Sequence, residues 1–405
     1  MKIVGLITEY NPFHAGHLYH MQRARELTGA DYCVVLMSGS FVQRGEPAIF
    51  DKYRRTKAAL LAGADLVLEM PAAFSTASAH EFAAYGVALL SAIGVDAVVF
   101  GSECGQIETL RQAAYALNHE SAEFRERLQK GLKAGLTYPQ ARAKALEMED
   151  TWASVLSSPN NILGIEYLRA AEDLHSPMEF YTISRKGSGY HEDTLADANF
   201  PSASAIRGII RNSLSKDKDL LDILASHLPA VTHPAYTGAV PVFVDDFSEL
   251  LNAAVLQMQA TFSIADLSPE LAARLAKPPY CPLSFEERIQ ALKTRQLTYT
   301  RVSRALLHLA LDMHEEDISL WKDEGYALYA RILGFRRQSS PLLSCLHKKS
   351  SIPLITKMAD AAQSLAPSAL ALLEQEVYAS HLYQTVRIKR GGVFQNEYTE
   401  GLVFV

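Results

Sequence analysis

Four short β-branched runs, "KIVGLI", "YCVVLM", "DLVLEM" and "DAVVFG", begin at residues 2, 32, 65 and 96 and restrict the fold more than any other feature. Parallel strands need a crossover of a dozen or more residues, usually a helix, and a spacing of roughly 30 residues leaves room for one. None of the runs alternates cleanly between apolar and polar, as suits strands covered on both faces. The expected class is α/β, a Rossmann-like doubly wound parallel sheet with its ligand at the carboxyl ends of the strands. Helical patterns fill the gaps at about 16–28, 51–63, 77–93 and 106–118, with further helical sequence from 121 to 150, and "MEFYTIS" reads as another strand.

After "SASAIRGIIRNSLSKDKDL" the texture changes. "LLNAAVLQMQATF", "RVSRALLHLALDM" and "ALLEQEVYASHLY" place apolar residues three and four apart, so a second, mostly α-helical domain is expected, with residues 1–215 and 216–405 as the two units. Gly391-Gly392 separates two β-prone runs and predicts a terminal hairpin. A length of 405 residues is too great for one average core, and the 48% hydrophobic, 21% charged composition is that of an ordinary globular protein. No run approaches the about 18 apolar residues of a membrane helix, and "MKIVGLITEY" lacks the parts of a signal peptide, so the expected location is cytoplasmic. Cys33, Cys104, Cys281 and Cys345 lie far apart without a CxxC pair, which argues against a zinc site or a disulfide framework.

The chemistry gathers in "EYNPFHAGHLYH". A strand that ends in a tight turn before a helix aims backbone amides and the positive helix end at one point, a natural site for phosphate. His14 and His17 around Gly16 could donate to phosphate oxygens and stabilise charge as pyrophosphate leaves, while the glycine allows close approach. A helix-capping pair or a metal fragment would show the same spacing; the missing third ligand makes metal the poorer explanation. The net charge of −6 argues against a simple nucleic-acid coat, yet Arg288–Arg304 and Arg331–Lys349 each hold five Lys or Arg and no acid. Solvated helix faces and a polyanion surface both fit those windows.

"HAGH" after a first strand resembles the HxGH signature of the nucleotidyltransferase superfamily, and "PSASAIR", with Ser204, Ile206 and Arg207, resembles its ISSTxIR-like segment, departing from it at Pro201 and Ala203. Together with "MSGSFVQRGEPAIFDKYRRTKAALLAGADLVLEMP", "FGSECG", "SPNNILGIEYL" and "ISRKGSGYH", the catalytic half resembles the bacterial tRNA(Met) cytidine acetate ligase family; the helical half resembles it more loosely. The resemblance implies an HxGH nucleotidyltransferase-type fold. It also implies an enzyme that activates acetate with ATP to acetyl-adenylate, then acetylates the exocyclic amine of the wobble cytidine of elongator tRNA(Met). A small-molecule nucleotidyltransferase of cofactor biosynthesis and a noncatalytic RNA- or nucleotide-binding protein are the competing readings.

Carried over, the ATP loop comprises Ile7, Thr8, Glu9, Tyr10, Asn11, Pro12, Phe13, His14, Ala15, Gly16, His17, Leu18, Tyr19 and His20, completed by Gly101, Asn161 and Arg185. Asn160 competes with Asn161, either of which could instead cap a helix, and Lys186 could share the task of Arg185. His14, His17 and Arg207 are the expected catalytic residues. The polar loop after the second strand offers Ser40, Gln43 and Arg44 for acetate. Arg288, Lys293, Arg295, Arg301, Arg304, Arg336 and Arg337 are the expected tRNA contacts, and "YRRTK" reads as an exposed basic face beside a helix start at Asp51 and Lys52. Mg2+ is expected with ATP, held through its phosphates and water, with no metal ligand assignable in the chain. No covalent enzyme intermediate and no obligate protein partner are expected.

Overall fold

The first apolar run forms the centre of the sheet. In the computed structural model, which describes residues 1–136, 141, 144–145, 155–156, 158–184, 201–214, 219–258, 263–277 and 280–405, strand β1 (Ile3–Thr8) lies between β2 (Tyr32–Ser38) and a later strand, Ala97–Ser102. A two-stranded hairpin, β3 (Phe41–Val42) and β4 (Glu46–Pro47), follows β2. The other sheet strands are β5 (Leu66–Met70), β6 (Ala97–Ser102), β7 (Glu179–Ser184), β8 (Ala330–Phe335), β9 (Leu354–Ile355) and β10 (Val403–Phe404). Their order is β10-β8-β5-β2-β1-β6-β7, with β9 beside β8. β5, β2, β1, β6 and β7 run parallel, while β8 is antiparallel to β5. The chain moves outward from β1 to β5 and then crosses to the other flank of β1, so the strand order reverses between β1 and β6. A crevice opens there at the carboxyl ends.

The expected α/β class is therefore the observed one, and both faces of the sheet are covered. Val34, Leu36, Leu66 and Leu68 share a core with the Ala79–Ala92 and Pro159–Asp173 helices. Val35, Met37 and Val67 face the other way, against α1 (Ala15–Thr28) and α2 (Lys52–Leu61). Buried on both sides, these strands have no polar face to show, which is why their sequence does not alternate. The helical half has its own core around Phe285, Ile289, Val302 and Leu306.

That half also gives strands to the sheet, so the sheet crosses the 215/216 boundary. The expected terminal hairpin does not form. Val386–Lys389 continue the Pro367–Lys389 helix, where Arg387 pairs with Asp51 at 2.8 Å; Gly391 ends the helix at φ +87°, and only Val403–Phe404 return as a strand, parallel to β8. "YRRTK" is not an exposed face either: of its five residues only Lys57 is exposed. Lys52 and Arg55 are completely buried and Tyr53 nearly so. Lys52 meets Glu69 at 2.6 Å and Glu397 at 2.8 Å, and Arg331 meets the same two carboxylates at 2.8 and 2.6 Å. Two cations balance two anions. The fifth member, Glu376, lies 3.5 Å from Lys52 Nζ, and its carboxyl is pushed well above the usual carboxylate range by burial and by the charge of Glu69. This cluster fastens α2, β5, β8 and the last residues of the chain into one body.

The β3–β4 turn packs tightly on the Tyr299–Ala310 helix. Gly45 lies at φ +76°, its carbonyl accepts from Ser303 Oγ at 2.8 Å, and a Cβ added to it would lie 2.5 Å from Arg304 N. Gly45→Ala is expected to cost about 1–2 kcal/mol from the backbone conformation alone, with the steric overlap added. Thermal unfolding beside Gly391→Ala isolates the overlap, because Gly391 has a similar φ and nothing within 4 Å. Equal losses in the two variants would show that the helix yields freely.

Candidate active site

β1 ends at Thr8, and the next residues fold back before α1 begins. Tyr10, at φ +46°, is fully buried, and Asn11 accepts from Ile49 N at 2.7 Å. Bulky residues avoid positive φ, so this turn is held by its surroundings. Tyr10, Phe13 and His17 pack ring to ring with centroids 4.7–5.7 Å apart. Tyr10, Asn11 and Phe13 thus brace the loop from within the fold and do not line the cavity.

The two histidines cap α1 reciprocally. His14 is the N-cap residue, its Nδ1 accepting from Gly16 N at 3.0 Å, and His17 Nδ1 accepts from His14 N at 3.2 Å. Their rings stack at 3.7 Å. The capping role and the cavity role are not alternatives, since both residues also line the cavity. An imidazole that accepts at Nδ1 in its neutral form carries its proton at Nε2. Each ring therefore offers an Nε2–H donor. A Cβ at Gly16 would lie 2.8 Å from the His14 ring, so a larger residue there would have to displace the capping imidazole.

The cavity, about 470 Å³, opens at the carboxyl ends of β1, β6 and β7. Ile7, Thr8, Glu9, His14, Gly16, His17, Tyr19 and His20 from the expected ATP loop line it, as do Gly101, Gln43, Arg44 and Arg207. Arg207 lines it from the Ala203–Leu214 helix, with Nη1 donating to Asn11 O at 2.9 Å and Nη2 in an ion pair with Glu46 Oε2 at 3.9 Å. Burial lowers its guanidinium from the ordinary arginine value, and the nearby carboxylates of Glu46 and Glu9 oppose that shift. The volume suits a mononucleotide-sized ligand.

Some expected residues occupy other places. Asn161 is buried behind the wall: its Oδ1 accepts from Glu103 N and Cys104 N at 2.9 and 3.1 Å, while Glu103 accepts from the Asn161 and Asn160 amides at the start of the helix. It holds the loop after β6, and Asn160 is the neighbour on the cavity wall. Ser40 is 1% exposed and bonds Ser380 Oγ at 3.3 Å, so it cannot meet acetate without rearrangement. Arg288 is buried, bonded to Asn252 Oδ1 at 2.6 Å and Cys281 O at 3.0 Å, and Arg304 is paired with Asp266 at 2.9 Å. Lys293, Arg295 and Arg301 are exposed. Arg336 and Arg337 follow β8, whose last residue pairs with Leu66 at the amino end of β5, so they lie at the sheet edge opposite the cavity. Arg185 and Lys186 lie outside the described residues.

Sequence reasoning missed Glu103 and, above all, Arg55. Its Nε donates to Phe50 O at 2.9 Å, Nη1 to Glu9 O at 2.8 Å and Ser38 O at 2.9 Å, and Nη2 to Gly39 O. One guanidinium thus binds the loop after β1 to the loop after β2. No sequence signal marks it, because a charged run looks the same buried or exposed. Among the described residues no group of three or more His, Cys, Asp or Glu could hold a metal ion, and no helix is long and apolar enough to cross a membrane. Cys33 is buried in β2 and its thiol is pushed up to about 12 by burial, which fits the expectation that it plays no nucleophilic part.

Residues 1–395 match the family described as HIGH Nucleotidyl Transferase. The chain is 39% identical over 395 residues to the tRNA(Met) cytidine acetate ligase of Acetivibrio thermocellus, covering 95% of this chain and 94% of that protein. It is 36% identical over 414 residues to the enzyme of the same name from a Thermoanaerobacter species, covering 100% and 98%. The crystal structure of Thermotoga maritima TmcAL bound with alpha-thio ATP superposes with a TM-score of 0.88 at 30% identity, covering all of both chains.

Proposed function

The chain belongs to the HIGH nucleotidyl transferase family, and on that premise we propose that it is a tRNA(Met) cytidine acetate ligase. ATP and acetate give acetyl-adenylate and pyrophosphate, and the acetyl group then passes to the exocyclic amine of the wobble cytidine of elongator tRNA(Met), forming N(4)-acetylcytidine. One observation carries the reading: His14, His17 and Arg207 line one cavity at the strand-order switch of the sheet.

In the first step an acetate oxygen attacks the α-phosphorus of ATP, and the bond to the β-phosphate breaks. His14 and His17 donate to phosphate oxygens that gain charge, and Arg207 adds a fixed cation; such oriented donors contribute about 2.7–4 kcal/mol each in well-studied enzymes. Gln43 and Arg44, on the β3–β4 turn, hold the acetate carboxylate from the other side. Magnesium would arrive with ATP, held mostly through its phosphates and water. Residues 1–215 carry this chemistry, and residues 216–405 receive the tRNA. A tRNA substrate implies the cytoplasm.

Lys293, Arg295 and Arg301 are the RNA contacts we favour, because they project beside the Tyr299–Ala310 helix on which the β3–β4 turn rests. An Arg295→Glu, Arg301→Glu variant is expected to raise the KM for tRNA by about tenfold or more, while acetate-dependent ATP–pyrophosphate exchange stays near wild type. Arg336→Glu with Arg337→Glu, at the far edge, should change that KM less than about twofold. The reverse ranking would move the RNA to the other end of the sheet.

The experiment that tests the function is incubation with ATP, magnesium, labelled acetate and unmodified elongator tRNA(Met), followed by nucleoside analysis. Label in acetylcytidine supports it. Exchange that requires a phosphorylated small molecule would support a cofactor nucleotidyltransferase, and no exchange with any substrate would support a noncatalytic binding protein.

A further inference from the structure

A carboxylate stands in a cavity whose first two substrates are both anionic where they react. Glu9 is the only acidic side chain among the described residues lining the cavity. Its position is fixed: Oε1 accepts from Gln43 N at 3.1 Å, and its own backbone carbonyl accepts from Arg55 Nη1 at 2.8 Å. Aromatic side chains line the same cavity. The Tyr167 phenol is raised first by burial and then by the charge of Glu9, and Tyr167 packs against Phe100 with ring centroids 5.6 Å apart. Phe82, 2% exposed, lines the same cavity.

Acetate and the ATP phosphates need donors, and a carboxylate offers them none. A substrate that presents N–H groups on a flat ring needs both features of this corner, an acceptor and aromatic walls. An enzyme that reacts with a base takes it out of the stack and reads its Watson–Crick edge between apolar side chains, and cytosine is the base whose N4 amine a carboxylate accepts from. Resting on the function proposed above, we infer that the Glu9 corner is the cytosine subsite and that Glu9 is the catalytic base of the second step. The N4 lone pair attacks the carbonyl carbon of acetyl-adenylate, the C–N bond forms, the C–O bond to AMP breaks, and the proton leaving N4 passes to the Glu9 carboxylate. AMP departs as an anion.

The test separates the half-reactions. Glu9→Gln keeps an oxygen acceptor for Gln43 N, and its fold is checked by thermal unfolding and ATP binding. Because Glu9 also belongs to the expected ATP loop and anchors Gln43, acetate-dependent ATP–pyrophosphate exchange is expected to fall too, and the inference is read from the difference: single-turnover transfer from preformed enzyme-bound acetyl-adenylate to tRNA should fall at least about twentyfold further than exchange does. Equal losses in both would assign Glu9 to adenylation or to the magnesium carried by ATP and overturn the inference. Wild-type transfer by the variant would overturn it as well. If the unaltered enzyme itself shows no exchange with acetate, the underlying function fails and takes the inference with it.

Discussion

Replacing His14 and His17 together by alanine is expected to reduce acetate-dependent ATP–pyrophosphate exchange by about three to four orders of magnitude. Two oriented donors at about 2.7–4 kcal/mol each would add to more than that, but groups acting on one charge are not additive, and the lower figure is the safer expectation. The loss has a second component. Both Nδ1 atoms satisfy amides at the start of α1, and an alanine at an N-cap costs about 1 kcal/mol of stability. His14→Asn separates the two, since asparagine is a good N-cap but presents no ring nitrogen to the cavity. The single variant should melt close to wild type and still lose exchange by about a hundredfold or more. Full activity in His14→Asn would reduce the pair to a helix cap and leave the phosphate chemistry to Arg207 and the backbone amides.

Strands and helix starts were legible in the sequence because local chemistry dictates them. Asp51, Ser78 and the glycine after Thr28 punctuate the chain where the helices begin or end, and the apolar runs could only be covered strands. Charge was not legible in the same way. Arg55 read as part of an exposed basic face, Lys52 as part of a helix start and Arg288 as an RNA contact, yet each is buried on partners that the fold brings to it: Glu69 and Glu397 for Lys52, four carbonyls for Arg55, Asn252 for Arg288. The terminal hairpin failed for a related reason. Two glycines were enough to suggest a turn, but the residues before them are tied into a long helix by Tyr383 and Arg387, whose partners Ala48 and Asp51 lie beside α2. In the site, the histidines and Arg207 were found because motif and placement agree. The exchange of roles between Asn160 and Asn161 was hidden, since it depends on Glu103, which nothing in its own neighbourhood singles out.

Arg55 sets the second large expectation. Its guanidinium is 0% exposed, and among the described residues it has no carboxylate partner; carbonyls of Glu9, Ser38, Gly39 and Phe50 surround it instead. Burial lowers it from the ordinary arginine value, against the opposing influence of surrounding acidic and phenolic groups, yet an arginine remains charged at neutral pH. Arg55→Ala would leave these carbonyls buried without a donor, at about 1–3 kcal/mol for each one that water cannot reach, and would open a cavity besides. Loss of more than about 4 kcal/mol, or failure to fold, is the expected result in urea unfolding. Arg55→Lys is the informative variant. An ammonium keeps the charge but lacks the planar fork, so it can hold one loop and must release the other. The loop after β1 carries the histidines and the loop after β2 carries Gln43 and Arg44, so loosening one against the other should disturb the alignment of acetate with ATP more than the binding of ATP itself. Exchange is then expected to fall by about a hundredfold while the ATP dissociation constant changes less than about threefold, as positional errors of an ångström do elsewhere. Equal losses in binding and exchange would mean that Arg55 supports the fold as a whole, and unchanged exchange would mean that the two loops are positioned without it.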